Sequence, residues 1–374
     1  MKRKRKSASI SEDMHDSEKD LRSYPLLSEA LEGCRLIEQK YLEVDEVAGA
    51  YQRRHKRIVA VAAIFGTLAI ILAILQLTLS HLYLESGHEN EISLWLMVSE
   101  GVSVLLAAGA VCWGTFAHVH HKWLDYRHRA ERYRLLKFAA LIKPAIPGVG
   151  HQEASAWKAR LIAAMAEIAR SSADDWAVEE DPHDRPPGIN EIDVSQEGIR
   201  ALIDYYLQKR LRIQKRYFGQ QARRHDKSNS YTRLPAPIFF FVSVFFALLH
   251  VVIEGVTKLG HEGDAVQHQE SIIAVVLIAA AAILPVCGGG IRTARAAFEF
   301  SRHTLRFRAK YNALSKLEES LELHRDKLAQ LDSGEQADAA LAEAIYGDLW
   351  MCELVLETEQ REWLRLMIEA EWFA

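Results

Sequence analysis

The stretch Ser271–Ile291 carries no charged residue. About 20 such residues, rising 1.5 Å each in a helix, cross the roughly 30 Å hydrocarbon core of a bilayer. Arg292, Arg295, Arg302, Arg306, Arg308 and Lys310 follow directly. That is the pattern of a membrane span leading at once into a basic helix. The pattern occurs once before: Val98–Ala117 is largely apolar and runs into His120-His121-Lys122-Trp123 and Tyr126-Arg127-His128-Arg129. Each copy has a further apolar run ahead of it. Spans are therefore predicted at 58–80, 94–117, 238–257 and 271–291. The fold class that follows is an all-α membrane protein, with four transmembrane helices in two hairpins and long cytoplasmic helices.

Composition alone does not require this. Apolar residues make up 49% of the 374 and charged residues 26%, averages that a soluble protein also shows, so the clustering decides. Arg53, Arg54, Lys56 and Arg57 stand ahead of the first span, and Pro235 and Pro237 open the third, where a first-turn proline is tolerated. The two short turns hold only Lys258 between them, whereas all four opposite flanks are rich in Lys and Arg. The positive-inside bias then puts the N-terminus, the middle of the chain and the C-terminus in the cytoplasm. Trp95 suits an interfacial aromatic at the start of the second span.

Residues 1–22 are polar and aperiodic, and are predicted to be disordered. The basic run Met1–Lys6 has no apolar segment after it and suits a tail held at an anionic leaflet. Residues 23–180 form a first helix–hairpin–helix unit. The breaker Asp181–Gly188 opens a linker at 181–191, and 192–374 form the second unit. Leu26, Leu27, Leu31, Leu36, Ile37, Tyr41 and Val44 share one side of a helix, as do Trp157, Leu161, Ile162, Met165 and Ile168. No strand signal appears. Arg127-His128 lies opposite Arg302-His303, and Arg132-Tyr133-Arg134 opposite Arg306-Phe307-Arg308 after a one-residue shift, so the halves share an architecture. Cys34, Cys112, Cys287 and Cys352 show no CxxC pairing and read as reduced, buried small residues.

No nucleotide-binding, metalloprotease or nucleophile-elbow motif is present, and no base–nucleophile constellation marks an enzyme. No cofactor is implied. Gly288-Gly289-Gly290 lies at the inner end of a span, where small residues let helices approach closely. His118, His120 and His121 lack an acidic or Cys partner and suit a wet interface rather than a metal site. Carboxylates among Glu357–Trp363 fit a solvated helix face.

Ionisable groups within the spans are the sharper signal, because charge in hydrocarbon is costly. Glu100 lies about two turns inside the second span, Gln76 is in the first, and His250 and Glu254 are one turn apart in the third. Glu100 and Glu254 either face a pore or water-filled vestibule, or Glu254 reaches the headgroups while Glu100 is protonated or pairs with Gln76 or His250. The second candidate is the basic, aromatic helix Tyr205–Arg233. Arg210, Arg212, Lys215, Arg216, Tyr217, Arg223 and Arg224 are its first candidates for holding an anionic nucleotide. The alternative is a juxtamembrane helix touching acidic lipid.

The run Trp123-x2-Tyr126-Arg127-x3-Glu131-Arg132-Tyr133-Arg134 after a two-span hairpin resembles the SLATT family. Leu284-Pro285, the Gly run, Arg292, Glu299-Phe300, Arg302-His303 and Arg306 repeat the theme, and Glu362-Trp363 fits its closing helix. The basic SLATT unit has two spans; this chain has four. The resemblance implies a channel or membrane-disrupting effector of bacterial anti-phage, abortive-infection systems. It would sit in the inner membrane and answer a nucleotide or oligonucleotide from a partner nucleotidyltransferase. Four helices from one chain are too few to surround an aqueous pore, so a homo-oligomeric ring is expected. The alternative is a non-conducting membrane scaffold or sensor that recruits a cytoplasmic partner.

Overall fold

The computed structural model describes residues 10–83, 90–142, 154–178, 195–259, 264–298, 300–330 and 339–369. The tail Met1–Lys6, the turns at 84–89 and 260–263, the linker 181–191 and Glu299 lie outside the described residues, as do the side chains of Glu254 and Arg302. Every regular element among the described residues is helical, with no strand. In chain order these are α1 (Glu18–Ser23), α2 (Ser28–Tyr83), α3 (Asn90–Phe116), α4 (Val119–Leu141), α5 (Ala154–Arg170) and α6 (Ala173–Val178). Then come α7 (Gln196–Tyr206), α8 (Arg212–Arg233), α9 (Pro235–Leu259), α10 (Asp264–Phe298), α11 (Phe300–Gln330) and α12 (Ala339–Glu369).

Four helices are long and apolar enough to cross a membrane, and their apolar stretches are only 6% to 17% buried. Phe240, Phe241, Phe245, Leu248 and Val252 on α9 stand bare, as do Leu105 and Phe116 on α3. Apolar bands of that extent are compatible with hydrocarbon and not with water. The chain is built as a multi-pass membrane protein. Within the membrane α2 packs on α3, α9 on α10, and α2 on α10. Gly288 and Gly290 sit at two of these crossings. A Cβ on Gly288 would lie 3.3 Å from the Ala236 carbonyl oxygen of α9, and one on Gly290 3.5 Å from Thr67 Oγ1 of α2. The run Gly288–Gly290 thus does what its sequence suggests, except at Gly289, which faces open space.

Three of the four spans pass into the polar helical part with little or no break. Helix α2 is one piece of 56 residues, a rod of about 84 Å at 1.5 Å per residue. Helix α7 runs through a single π-helical turn, Leu207–Leu211, into α8. Beyond Leu234, α9 begins at Pro235, and the Ile238 amide donates to the Leu234 carbonyl at 3.2 Å. Only residue 299 separates α10 from α11. The exception is α3 to α4, where His118 takes a left-handed backbone, φ 47°, and ends the span.

Outside the apolar spans α4 lies along α2, α8 along α11, and α12 packs on both α4 and α11. The two units do not form separate cores. Tyr41, Tyr133 and Phe138 from the first half are buried in one cluster with Ile203, Tyr205, Leu321 and Tyr346 from the second. Leu36 on α2 and Ile162 on α5 fall outside the expected apolar faces, at 45% and 57% exposed. Cys34 and Cys352 are buried thiols, but Cys112 is exposed on α3 and Cys287 half-buried on α10.

The disorder expected of residues 1–22 does not hold for residues 10–22, and residues 1–9 lie outside the described residues. Residues Ile10–Met14 form a 3-10 turn, and α1 follows under a capping box between Ser17 and Asp20. Three carboxylates hold this segment down: Asp13 on Arg210, Asp16 on Lys137, and Asp20 on Lys209. These partners are far away in sequence, so no local pattern announces them.

Candidate functional site: a cationic cavity beneath the spans

The polar extensions of the membrane-entering helices frame a cavity of about 710 Å³. Helix α2 contributes Gln52 and Lys56, α4 contributes Arg127, Glu131 and Arg134, α11 contributes His303 and Phe307, and α12 contributes Glu359, Gln360 and Trp363. From the basic helix come Arg210, Gln214, Tyr217, Gln221, Arg224 and Ser228. Their spacing alternates between four and three, which is one face of a helix.

The floor is a buried ion network. Arg210 is 1% exposed. Its Nη1 donates to Asp13 Oδ2 at 2.8 Å, and its Nε and Nη2 grip both Glu353 oxygens at 2.9 and 2.7 Å. Its guanidinium also lies 4.3 Å from the centre of the Phe138 ring. Gln214 Nε2 donates to the same Asp13 oxygen at 2.6 Å. Arg134 donates to Glu131 at 2.8 Å and to the Tyr41 hydroxyl at 2.6 Å. Arg127 pairs with Asp45 at 2.7 Å and with Glu131. Burial alone would raise the Glu131 pKa, but Arg127, Arg134 and Arg210 hold it below the usual carboxylate range. Burial likewise opposes the charge on Arg210, yet Glu353 and Asp13 outweigh it and raise its pKa. These cations are locked into the fold, because stripping a partner from a buried pair leaves an uncompensated charge.

The wall behaves differently. Glu359 is 13% exposed. Burial, with Glu131 adding to it, pushes its pKa up to about 7 against the pull of Arg306. The solvated face expected for Glu357–Trp363 therefore fails at Glu359, which points inward. His303 and Phe307 stack with ring centres 5.7 Å apart and planes at 16°, and Tyr217 meets Phe307 edge-on. At the rim, Lys56 and Arg224 have no carboxylate partner among the described residues. Burial lowers the Lys56 pKa, and the Arg224 charge lowers it further.

The predicted ligand residues divide by face. Arg210, Tyr217 and Arg224 line the cavity. Arg212 instead pairs with Glu318 and Glu322 at 2.9 and 2.7 Å, and Lys215 with Glu318, tying α8 to α11. Arg216 and Arg223 are exposed and do not line the cavity. Sequence reasoning missed Lys56, Gln214, Gln221 and the carboxylates Asp13, Glu353 and Glu359. The four–three spacing along α8 is the signal that identifies Gln214 and Gln221.

The membrane candidates stay apart from this site. Glu100 on α3, Gln76 on α2 and His250 on α9 are half-buried, and Glu254 lies on α9, its side chain outside the described set. His120, from the interface cluster, packs against His55 and Trp123.

No protein-family model, no curated protein and no solved structure matches this chain.

Proposed function

We propose that this protein is the membrane effector of a bacterial anti-phage system, an oligomeric ion channel gated by a nucleotide or oligonucleotide from a partner nucleotidyltransferase. The anti-phage role and the source of the signal rest on the resemblance to SLATT proteins. The gating rests on one observation: the helices that wall the cavity are the ones that enter the membrane. Lys56 lies on α2 just ahead of the first span, Arg224 and Ser228 lie on α8 ahead of α9, and His303 follows α10. A ligand that changes the spacing of these helices moves the spans. Taking a gate from 1:99 to 99:1 needs about 5.5 kcal/mol of differential affinity. Two or three charge-assisted contacts made in one state only, at about 1.5–3 kcal/mol each, supply that.

The protein sits in the inner membrane with both termini cytoplasmic, as the Lys/Arg bias of the flanks favours. Several copies close a ring, since four spans from one chain are too few to surround an aqueous pore. Glu100 then faces the conduit and favours cations.

Ion flux from liposomes carrying the purified chain is the test. Flux that appears or stops on adding an oligonucleotide signal supports the channel. An intact oligomer that never conducts, with or without the signal, leaves the scaffold that recruits a cytoplasmic partner. A periplasm-active reporter fused after Lys143 should stay silent; a strong signal there overturns the orientation.

A further inference from the structure

We propose that the cavity beneath the spans binds a phosphate ester between Lys56 and Arg224, and that the bound phosphate ties the two halves of the chain together. This locates the ligand site that the gated-channel reading needs, and it rests on that reading for the consequence of binding but not for binding itself.

Charge bookkeeping within the cavity singles out the position. The floor arginines are matched by the protein's own carboxylates: Arg127 by Asp45 and Glu131, Arg134 by Glu131, Arg210 by Asp13 and Glu353. Among the described residues the rim cations are not. Lys56 and Arg224 come from different halves and face the same space, and the cavity's own carboxylates, Glu131 and Glu359, pair with Arg127, Arg134 and Arg306 instead. Two like charges held near each other are relieved by an anion placed between them. Gln52, Gln221 and Ser228 stand beside them with amide and hydroxyl donors. The volume falls within the range of small-molecule sites.

The two sides of the rim are built alike. Arg53-Arg54-His55 precedes the first span and Arg223-Arg224-His225 the third. Each histidine packs on a ring from the helix that follows its hairpin: His55 on Trp123 at 5.6 Å, and His225 on Phe307 at 5.4 Å. In this match Arg224 corresponds to Arg54, and Lys56 follows directly after His55; the rim cations thus stand at neighbouring positions of two like corners, and an anion between them bridges the corners. The stacked His303 and Phe307, with Tyr217, give the other end of the ligand an aromatic wall. A soluble nucleotide and an anionic phospholipid headgroup from the overlying leaflet share this chemistry.

The test uses the full chain in neutral detergent, with a fluorescent adenosine diphosphate as soluble probe and native mass spectrometry of retained phosphatidylglycerol as the lipid probe. Lys56→Gln and Arg224→Gln should each weaken the bound probe about tenfold or more, and together on the order of a hundredfold. Arg216→Gln, exposed and away from the cavity, should change nothing. Circular dichroism should be unaltered, because neither rim side chain holds a structural partner among the described residues. Nucleotide binding without lipid retention assigns a soluble ligand, and lipid retention alone assigns a headgroup; either supports the site. Wild-type protein that binds neither probe overturns it, as does a double variant that binds like wild type. Loss of binding in the variants of a protein that never conducts keeps the site and removes only the channel.

Discussion

The hydroxyl of Ser243 on α9 donates to the Ala281 carbonyl on α10 at 2.6 Å. Ala281 is the residue whose carbonyl would have accepted an amide proton from position 285, and position 285 is proline. One helix thus supplies the donor that the other lacks, in a region where no water is available to supply it.

Ser243→Ala should therefore destabilise the protein by about 1 kcal/mol. The loss should shrink sharply when Pro285→Ala restores the missing amide. Thermal unfolding in detergent of the two single variants and the double variant measures the coupling. Additive losses would mean that Ser243 serves only as packing.

Two glycines one residue apart make a paired prediction. Gly288→Val drives a side chain against the Ala236 backbone, which cannot swing away, and should cost about 1–3 kcal/mol. Gly289→Val meets open space and should be tolerated. Detergent stability of the pair reads the difference; equal losses would remove the close α9–α10 approach as the reason for the glycines.

Arg210→Ala should lower stability by about 3–5 kcal/mol, because it strands Asp13 and Glu353 inside the core. Arg216→Ala, on the exposed side of the same helix, should stay within about 0.5 kcal/mol of wild type. Chemical denaturation distinguishes them. An Arg210→Ala protein as stable as wild type would return that residue to the role of a ligand contact.

Glu359 gives a pH dependence with a definite sign. Its pKa is about 7 in the folded chain against an ordinary 4.5. Between those values the folded state holds a proton that the unfolded state has released, so stability falls as pH rises through this window. The full loss is on the order of 3 kcal/mol, set by burial and by Glu131 and Glu362 against Arg306 and Lys310. Glu359→Gln should remove this dependence. A variant whose stability falls from pH 5 to pH 8 as steeply as wild type would place the titrating group elsewhere.

The helical architecture was legible because it is written locally. A charge-free run of about 20 residues has one economical reading, and a glycine triplet at its end suggests a close crossing. The site was only half legible. Arg210 looked like one cation among many in a basic helix, while its partner Asp13 lies 197 residues away. The same distance hid the order of residues 10–23, whose acidic side chains resemble those of a solvated tail until their cations are placed. Charge density alone groups Arg212, Lys215, Arg216 and Arg223 with Arg224. Only the face separates them, and a face is read from spacing rather than composition.

The π-helical turn at Leu207–Leu211 fixes that face. A turn of this kind winds one more residue into the helix than an α turn does. Upstream of it Tyr205 and Tyr206 are set into the core; downstream Gln214, Tyr217, Gln221 and Arg224 look into the cavity. Were the same sequence wound there as ordinary α-helix, everything beyond it would turn by about 100° about the helix axis. Arg224 would then swing away from Lys56, and α9 would enter the membrane with a different side toward α10. The extra residue is a phase setting, and a helix that holds one can be re-timed without being broken.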